Sequence, residues 1–424
     1  MDYKKERLKN GIRLLTVPMP HLDSITVMIG VGAGSRVEPA PRAGLAHFTE
    51  HMLFKGTKRR PSALALSSEL DSLGAQFNAF TGKEDTIYFV KAASKNLSKV
   101  LDLLGDLVFH SRFSPEEIER EKGVILEELR MYREEPRSWI ESIYHRLLFG
   151  DHPLGWDIVG TEESIPRIGR EDFLDYLKSW YRPGNIVVGV AGKIGSRLDL
   201  EEVGKVLRRL KGEGGGGVSL RYQHHQTAPE ILIEERESDQ SHFALGLRAY
   251  PRSHPNREKL EILTTLLGGG ASARLFIEIR ERRGLAYYVG ANWEEFADAG
   301  TLKIRAGVNN TRVEEALEVT LGELRKVKEE RVPKEELGKA KEMLRGALLL
   351  GLESTSGACS YFLEQELLEG RIETPEEKLK KIEAVTAEKV REVAREIFVN
   401  EGLNLALIGP FSDPERFRSL LSLA

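Results

Sequence analysis

The chain has 424 residues, of which 41% are hydrophobic and 30% are charged, and its formal net charge is -4. This length exceeds what one hydrophobic core usually supports, so we expect two or more domains. The nearly balanced charge disfavours a nucleic-acid partner, because nucleic-acid binders usually carry an excess of basic residues. The N-terminal stretch is charged, and no uninterrupted apolar run of about 18 residues occurs, so the sequence predicts a cytoplasmic protein with no membrane partner.

The cysteine content restricts the kinds of metal site that the chain can build. Cys359 is the single cysteine, which excludes an internal disulfide and any site made of several thiolates. A metal ion would therefore be held by histidines and carboxylates. Cys359 itself is predicted to be a small packed residue rather than a nucleophile.

The predicted elements follow the same order in both halves of the chain. In the first half, SITVMIGVGAGSRVEP predicts a strand that leads into a helix containing HFTEHMLFKG, and FNAFTGKEDTIYFVKAA predicts a pair of strands. The amphipathic helix NLSKVLDLLGDLV comes next. In the second half, HFALGLRAYPRSHPN leads into a helix containing EILTTLLGGG, which is followed by the strand pair YVGANWEEFADAGTLKIRAGV and the helix RVEEALEVTLGELRKVKEE. We therefore predict an α+β fold of two homologous domains, each an antiparallel sheet packed by helices on one side.

A glycine run near the middle of the chain separates these halves. GEGGGG follows the charged, helical-looking segment EEVGKVLRRLKG, and such a run cannot pack a core. The predicted organisation is an N-terminal domain at 1–211, a Gly-rich linker at 212–217 and a homologous C-terminal domain at 218–424. A surface hairpin loop inside one domain is the alternative interpretation of the glycine run.

The segment HFTEH carries the clearest chemical signal. It puts His47, Glu50 and His51 at positions i, i+3 and i+4 of a predicted amphipathic helix, and at about 100° per residue these side chains leave one face. Two imidazoles so placed can bind one zinc ion, which in catalytic sites takes a third protein ligand and a water. Glu50 is then placed to act as general base toward that water. A chance pair of histidines on one helix is the alternative, and it is a rare event in a chain of this composition.

A later helix, SPEEIEREKGVILEELRMYREEP, offers the third ligand. Its apolar stripe consists of Ile118, Ile125 and Leu129. Helical geometry puts Glu121 and Glu128 about 20° apart beside this stripe, whereas Glu127 points away from it. We predict that Glu128 ligates the metal and that Glu121 supports an imidazole or the water. The alternative is that all glutamates of this helix are solvated charges.

HFTEH followed by a glutamate on a later helix resembles the motif of the pitrilysin and mitochondrial processing peptidase family, the inverted zincins with an H-x-x-E-H motif. In that family a segment similar to EKGVILEE carries the third zinc ligand and an acidic companion, which correspond to Glu128 and Glu121. The resemblance extends over nearly the whole chain. It implies a zinc-dependent endopeptidase with one Zn²⁺ per chain.

The same resemblance implies how a substrate is held. NAFTGKEDTIYF is similar to the family's substrate-side edge strand, so Asn78, Ala79 and Phe80 are expected to pair with an extended peptide. RLFIEIRERRGLAYYVG resembles the family's arginine and tyrosine segment, which implies that Arg280 and Tyr287 hold the substrate backbone and stabilise the oxyanion. Without the resemblance, Arg280 would be read as a surface ion-pairing residue and Tyr287 as a packing residue.

The second half lacks the zinc motif. Aligning the halves by their helices puts Glu261, Thr264 and Thr265 at the positions of His47, Glu50 and His51. The N-terminal domain is therefore predicted to be catalytic and zinc-binding, and the C-terminal domain to supply the Arg/Tyr clamp. The small two-domain members of the family imply a homodimer that encloses a chamber, with the clamp of one subunit facing the zinc of the other. Unstructured peptides are the expected substrates.

Two other functions remain open from the sequence. Relatives of this family serve as non-catalytic structural or assembly subunits, but such relatives usually lose part of the motif, which is complete here. A metal hydrolase that acts on substrates other than peptides is the third hypothesis. It would leave the peptide-pairing strand and the clamp without a purpose.

Overall fold

The computed structural model describes residues 1–194 and 220–423. They form two compact units, which we call the first and second domains. The first domain contains Met1–Arg130, Trp156–Leu220 and Leu349–Thr374, and the second contains Met131–Gly155, Arg221–Leu348 and Pro375–Ala424. The predicted linker at 212–217 and the helical-looking segment before it lie outside the described residues.

Both domains contain several helices. In the part of the sequence before the predicted linker they are α1 (Leu45–Leu53), α2 (Ala63–Ser72), α3 (Leu97–His110), α4 (Pro115–Glu134), α5 (Pro136–Phe149) and α6 (Arg170–Trp180). In the part after it they are α7 (Arg257–Gly268), α8 (Val313–Glu329), α9 (Lys334–Gly351), α10 (Thr355–Leu368), α11 (Pro375–Glu383), α12 (Ala387–Ile397) and α13 (Glu415–Arg418). No helix in the described part of the chain is long and apolar enough to cross a membrane.

The first domain is built on a six-stranded sheet. Its strands are β1 (Lys4–Arg7), β2 (Arg13–Pro18), β3 (Ser24–Val31), β4 (Gln76–Thr81), β5 (Thr86–Ala93) and β6 (Ile186–Gly192). The spatial order is β1-β2-β6-β3-β5-β4, and neighbours are antiparallel except for the parallel pair β2 and β6. Strand β4 ends this order and pairs with β5, Ala79 lying opposite Tyr88. It is therefore an edge strand, and it packs against α1.

Both faces of this sheet are covered. Alternate residues of β3, such as Val27 and Ile29, join a core with Phe48 of α1 and Leu104 of α3. The other face lies against α10, where the Thr26 and Thr355 hydroxyls are 2.8 Å apart. A Cβ atom added at Gly189 of β6 would lie 2.6 Å from Cys359 Sγ, so glycine permits the close approach of the α10 helix. Cys359 is a buried packing residue, as predicted.

The second domain repeats this arrangement on a five-stranded sheet. Its strands are β7 (Glu230–Glu235), β8 (Gln240–Arg248), β9 (Ala286–Glu295), β10 (Gly300–Asn309) and β11 (Asn404–Gly409), in the order β7-β11-β8-β10-β9. Only β7 and β11 run parallel within this described sheet. One face packs on α7, α8 and α12 in the larger core. The other lies against α5, and a Cβ at Gly246 would fall 2.2 Å from the Tyr144 hydroxyl of that helix.

The predicted fold class is confirmed, with two differences in detail. We expected wholly antiparallel sheets with helices on one side, but each sheet has one parallel pair and a further helix on its opposite face. The further helix comes from the other half of the sequence in both cases. Helix α5 precedes the predicted linker and packs in the second domain, while α10 follows it and packs in the first domain. The compact units therefore differ from the sequence halves 1–211 and 218–424.

A buried lysine joins α5 to the second sheet. Lys303 of β10 is fully buried, and its Nζ atom donates to Glu141 of α5 and, at 2.8 Å, to Glu294 of β9. Glu294 also lies 2.6 Å from His145 Nε2. Burial raises the pKa of Glu294, but His145 and Lys303 outweigh it and hold the pKa well below its ordinary value. Removing one member of this network would destabilise the protein, because it would leave a buried charge without its partner.

We predict that Lys303→Met destabilises the protein by about 3 kcal/mol, since it leaves two acidic side chains without their shared cation. Urea unfolding followed by circular dichroism measures the change. Lys339→Met is the matched control, because Lys339 pairs with Glu335 on an exposed helical surface and is expected to cost under about 0.5 kcal/mol. Equal shifts for the two variants would contradict the structural role of Lys303.

Candidate active site

Helix α1 is held at its start by a carboxylate. Glu38 is buried, and its two oxygens accept hydrogen bonds from the backbone N–H groups of Gly44, at 2.8 Å, and Ala46, at 2.6 Å. These two oxygens satisfy backbone donors that the helix itself cannot, while burial raises the pKa of Glu38 to about 8. Glu38 thereby fixes the first turn of the helix that carries His47.

His51 is oriented by a charged pair on its far side. Its Nδ1 atom lies 2.8 Å from Glu121 Oε1, and Lys55 Nζ lies 2.5 Å from Glu121 Oε2. Burial raises the pKa of Glu121, which is 2% exposed, but the hydrogen bonds with His51 and Lys55 outweigh it, so the pKa is lowered overall. An ionised Glu121 accepts a hydrogen bond from the N–H at Nδ1 of His51. The lone pair on Nε2 of His51 is then free to bind a metal.

The three predicted ligands come together in the first domain. Glu128 Oε1 lies 3.7 Å from His47 Nε2, and Glu128 Oε2 lies 3.6 Å from His51 Nε2. One ligand atom from each residue lies within 4.8 Å of the other two. These separations are too long for hydrogen bonds. They are close to the ligand-to-ligand spacing of about 3.4 Å in a tetrahedral zinc site with bonds of about 2.1 Å.

The electrostatics of this group also fit a divalent cation. Burial and the neighbouring His51 lower the pKa of His47 to about 3, so its imidazole is neutral and can act as a ligand. Burial raises the pKa of Glu128, because its carboxylate is partly withdrawn from water. A cation between the three residues would compensate that loss of hydration. His47 Nδ1 is buried without a hydrogen-bond partner in the described part of the chain, so His47 lacks the support that Glu121 gives His51.

A second group with metal-ligand chemistry lies in the second domain. Glu141, His145 and Glu294 also bring ligand atoms within 4.8 Å of one another. The carboxylates of this group are already paired with Lys303 and Arg305. These carboxylates therefore already have cationic partners within the protein.

Glu50 lies on the same helix as the two histidines and contacts strand β4. Its Oε2 atom accepts a hydrogen bond of 2.5 Å from the Thr81 hydroxyl. Burial raises the pKa of Glu50, while Thr81 and His51 act in the opposite direction. A raised pKa suits a general base that must hold a proton briefly and then release it.

The predicted substrate-binding residues lie on the edge strand. Ala79 is buried, while Asn78 is exposed and Phe80 is 42% exposed. The Asn78 Oδ1 atom accepts from the Ala79 N–H at 2.9 Å, so the side chain satisfies a backbone donor of the edge strand. In the described sheet, β4 pairs only with β5, so its outer side has no neighbouring strand.

The two predicted clamp residues lie in the second domain, each on irregular structure. Arg280 is exposed within a π-helix, Phe276–Glu281, and its guanidinium lies 4.9 Å from the Phe276 ring. Tyr287 is the extra residue of a β-bulge, since β10 pairs Gly307 with Tyr288 and Val308 with Ala286. It is 74% exposed. π-helical turns and bulges both occur often at functional sites, where they redirect a side chain.

The corresponding positions of the second domain have no metal-binding arrangement. Glu261, Thr264 and Thr265 lie on α7, as the alignment of the halves predicts. Glu261 pairs with Lys378 at 2.8 Å, and the two threonine hydroxyls donate to backbone carbonyls of their own helix. These groups are satisfied structurally.

Comparison with known proteins agrees with this division between the domains. Residues 13–162 match the family model described as insulinase (peptidase family M16), and residues 167–344 match the peptidase M16 inactive domain. A Bacillus subtilis protein named uncharacterized zinc protease YmxG is 33% identical over 96% of this chain and 98% of its own length. The chain belongs to peptidase family M16.

Further similar proteins match over almost the whole chain. A Streptomyces coelicolor protein, also named an uncharacterized zinc protease, is 32% identical over 98% of this chain and 91% of its own length. The crystal structure of a Helicobacter pylori protease superimposes with a TM-score of 0.91 at 24% identity, covering 96% of this chain and 99% of that one. A Pseudomonas fluorescens structure titled as a peptidase M16 inactive domain gives a TM-score of 0.89 at 20% identity, covering 97% and 99%. The solved structures therefore share the fold of this M16 chain.

Three supporting residues of this M16 site were missed in the sequence. Lys55 follows His51 by one helical turn, a spacing that could have indicated a neighbour of the same carboxylate. Thr81 directly follows the predicted peptide-pairing residues, but a hydroxyl at a strand end has no distinctive pattern. Glu38 precedes α1 by several residues, and only the folded loop brings it back to the helix start.

We predict that Lys55→Met weakens zinc binding by about tenfold, because residues that support a metal-bound histidine typically contribute at least this much to metal affinity. Competition with a chromophoric chelator measures the dissociation constant. Lys58→Met removes an exposed lysine of the same segment and is expected to leave the affinity unchanged. The same affinity in Lys55→Met and the unaltered protein would show that Glu121 holds His51 without help.

Proposed function

We propose that this M16 chain is a zinc-dependent endopeptidase. The observation that carries the proposal is the convergence of His47, His51 and Glu128, with Glu50 beside them, in the family's inverted-zincin motif. The zinc protease names of its relatives support the choice of metal. His47, His51 and Glu128 would hold one Zn²⁺ per chain.

The proposed chemistry divides between the metal and Glu50. When bound, zinc would polarise the scissile carbonyl and make a water molecule acidic enough to attack near neutral pH. Glu50 takes the proton of the attacking water and passes it to the leaving amine. Glu121 and Lys55 keep His51 in the orientation and tautomer that ligation needs.

The proposed substrate is an unstructured peptide. Asn78, Ala79 and Phe80 would pair with it through the exposed side of β4, so the peptide becomes an added strand. Backbone pairing recognises an extended chain with little regard to sequence. A folded protein cannot offer such a strand without first unfolding locally.

Arg280 and Tyr287 are proposed to complete the site from the second domain. The guanidinium and the phenol would bind the substrate backbone and the oxyanion that develops as water attacks. Their exposure supports this role over a packing role. A homodimer in which the clamp of one subunit serves the zinc of the other, around a closed chamber, is part of the proposal, as is a cytoplasmic location.

The second candidate is a non-catalytic structural or assembly subunit. The complete set of ligands and the buried support of His51 by Glu121 favour the enzyme, because a scaffold gains nothing from a buried acid that orients an imidazole. A metal hydrolase acting on other substrates would not explain an exposed edge strand beside the base.

We predict that Glu50→Gln lowers kcat for a quenched-fluorescent unstructured peptide by at least about a thousandfold, because the amide cannot accept the proton. The zinc content, measured by atomic absorption, should stay at one per chain. Retained cleavage in this variant would rule out Glu50 as the base.

Glu127→Gln is the matched control for this experiment. Glu127 is 72% exposed on α4 and pairs with Arg130, so the same substitution there should leave kcat unchanged. Cleavage by the unaltered protein should be lost with a chelator and restored by zinc. Bound zinc without cleavage of any unstructured peptide would favour the scaffold function.

The dimer proposal predicts complementation between two inactive variants. In a mixture of Glu50→Gln and Arg280→Ala chains, some dimers combine the Glu50 of one chain with the Arg280 of the other. If the clamp acts between subunits, unfolding and refolding the variants together should restore up to about a quarter of the unaltered activity, as random assembly allows. Light scattering checks the dimer, and a fully active monomer would contradict it.

A further inference from the structure

The carboxylate of Glu50 is fixed by one hydroxyl. Thr81 Oγ1 donates to Glu50 Oε2 at 2.5 Å, and it is the only hydrogen-bond donor to this carboxylate among the described residues. A glutamate side chain has several rotatable bonds and loses rotamer freedom when it is ordered. A base that must meet one water molecule in a defined position therefore benefits from a fixed support.

Thr81 lies in a strand end and turn that backbone hydrogen bonds fix in place. It is the last residue of β4 and lies opposite Thr86, whose buried hydroxyl donates to the Ala33 carbonyl at 2.8 Å. The turn that follows is closed by a bond of 2.8 Å from the Gly82 N–H to the Asp85 carbonyl. The Ser35 N–H donates to the Gly82 carbonyl at 3.1 Å and ties the turn to the segment before α1.

We infer that Thr81 is a positioning residue for Glu50, an inference that rests on the proposed peptidase function. Its hydroxyl engages Oε2 and leaves Oε1 as the atom that receives the proton of the attacking water. The proton and electron balance of hydrolysis is unchanged, because the threonine hydroxyl only donates a hydrogen bond. Thr81 thus acts through Glu50 and does not touch the reacting atoms.

The position of Thr81 also links the base to substrate binding. Residues two apart in a strand share a face, so Thr81 and Ala79 face α1, while Asn78 and Phe80 face the other way. The strand proposed to pair with the peptide therefore ends in the residue that holds the base. A peptide added to β4 is aligned with the Glu50 carboxylate through a single stretch of backbone.

The test compares Thr81→Val, which keeps the shape and removes the hydroxyl, with Thr81→Ser, which keeps the hydroxyl. Thr81→Val is expected to lower kcat by about tenfold, in line with the loss of a hydrogen bond to a charged group. Its KM is expected to stay within about twofold, because the strand is intact. Thr81→Ser is expected to retain at least about half of the unaltered kcat.

Thr26→Val is the matched control for lost stability. Thr26 makes a buried hydroxyl contact with Thr355 on the opposite face of the same sheet. This variant is expected to melt at a lower temperature with an unchanged kcat. If Thr81→Val is destabilised to the same degree, the difference in kcat between the two variants isolates the effect of the hydroxyl at Glu50.

A readout apart from activity tests whether Thr81 acts through the metal instead. The zinc dissociation constant and the visible absorption of the Co²⁺-substituted protein should be the same in Thr81→Val and the unaltered protein. A changed spectrum, an unchanged kcat in Thr81→Val, or a serine variant as slow as valine would each overturn the inference while the peptidase function stands. No cleavage by the unaltered protein would overturn the proposed function and this inference with it.

Discussion

Glu121 is the residue at which helix α1, the segment after it and helix α4 are joined. Its carboxylate is buried, a state that is costly for a charge unless both oxygens have partners. His51 and Lys55 supply those partners. The pairing sets the distance between α1 and α4, and this distance decides whether Glu128 can reach the same point as the two imidazoles. The candidate metal site therefore depends on the contacts of Glu121, a residue that is not itself one of the predicted ligands.

Local geometry explains how much of the site was predictable. The spacing of His47, Glu50 and His51 fixes their common face in any α-helix, and the same rule separates Glu128 from the exposed Glu127. The repeated order of strands and helices likewise predicted two related domains. These inferences needed only the periods of regular structure. The family resemblance added Arg280 and Tyr287, but it gave no indication of the π-helical turn and the bulge that carry them.

The remaining features depend on contacts between distant parts of the chain. In the sequence, nothing distinguishes Lys303 from other charged residues on strands. It is buried only because α5 packs against the second sheet. Thr81 and Lys55 acquire partners on elements that the sequence cannot align in space. The exchange of α5 and α10 was missed for the same reason, since an amphipathic helix shows that it covers a sheet but not which one. The predicted linker lies outside the described residues.

The exchanged helices bear on how the protein is made. One face of the first sheet is covered by α10, so the first domain is complete only after residue 368 has been synthesised. Until then, the faces of β3 and β6 around Gly189 have no cover, although the whole HFTEH helix already exists. The metal-binding half therefore emerges from the ribosome long before that half can finish folding. Dividing the gene at the glycine run would yield two fragments, each carrying a helix that belongs to the other's domain, which must associate to become whole.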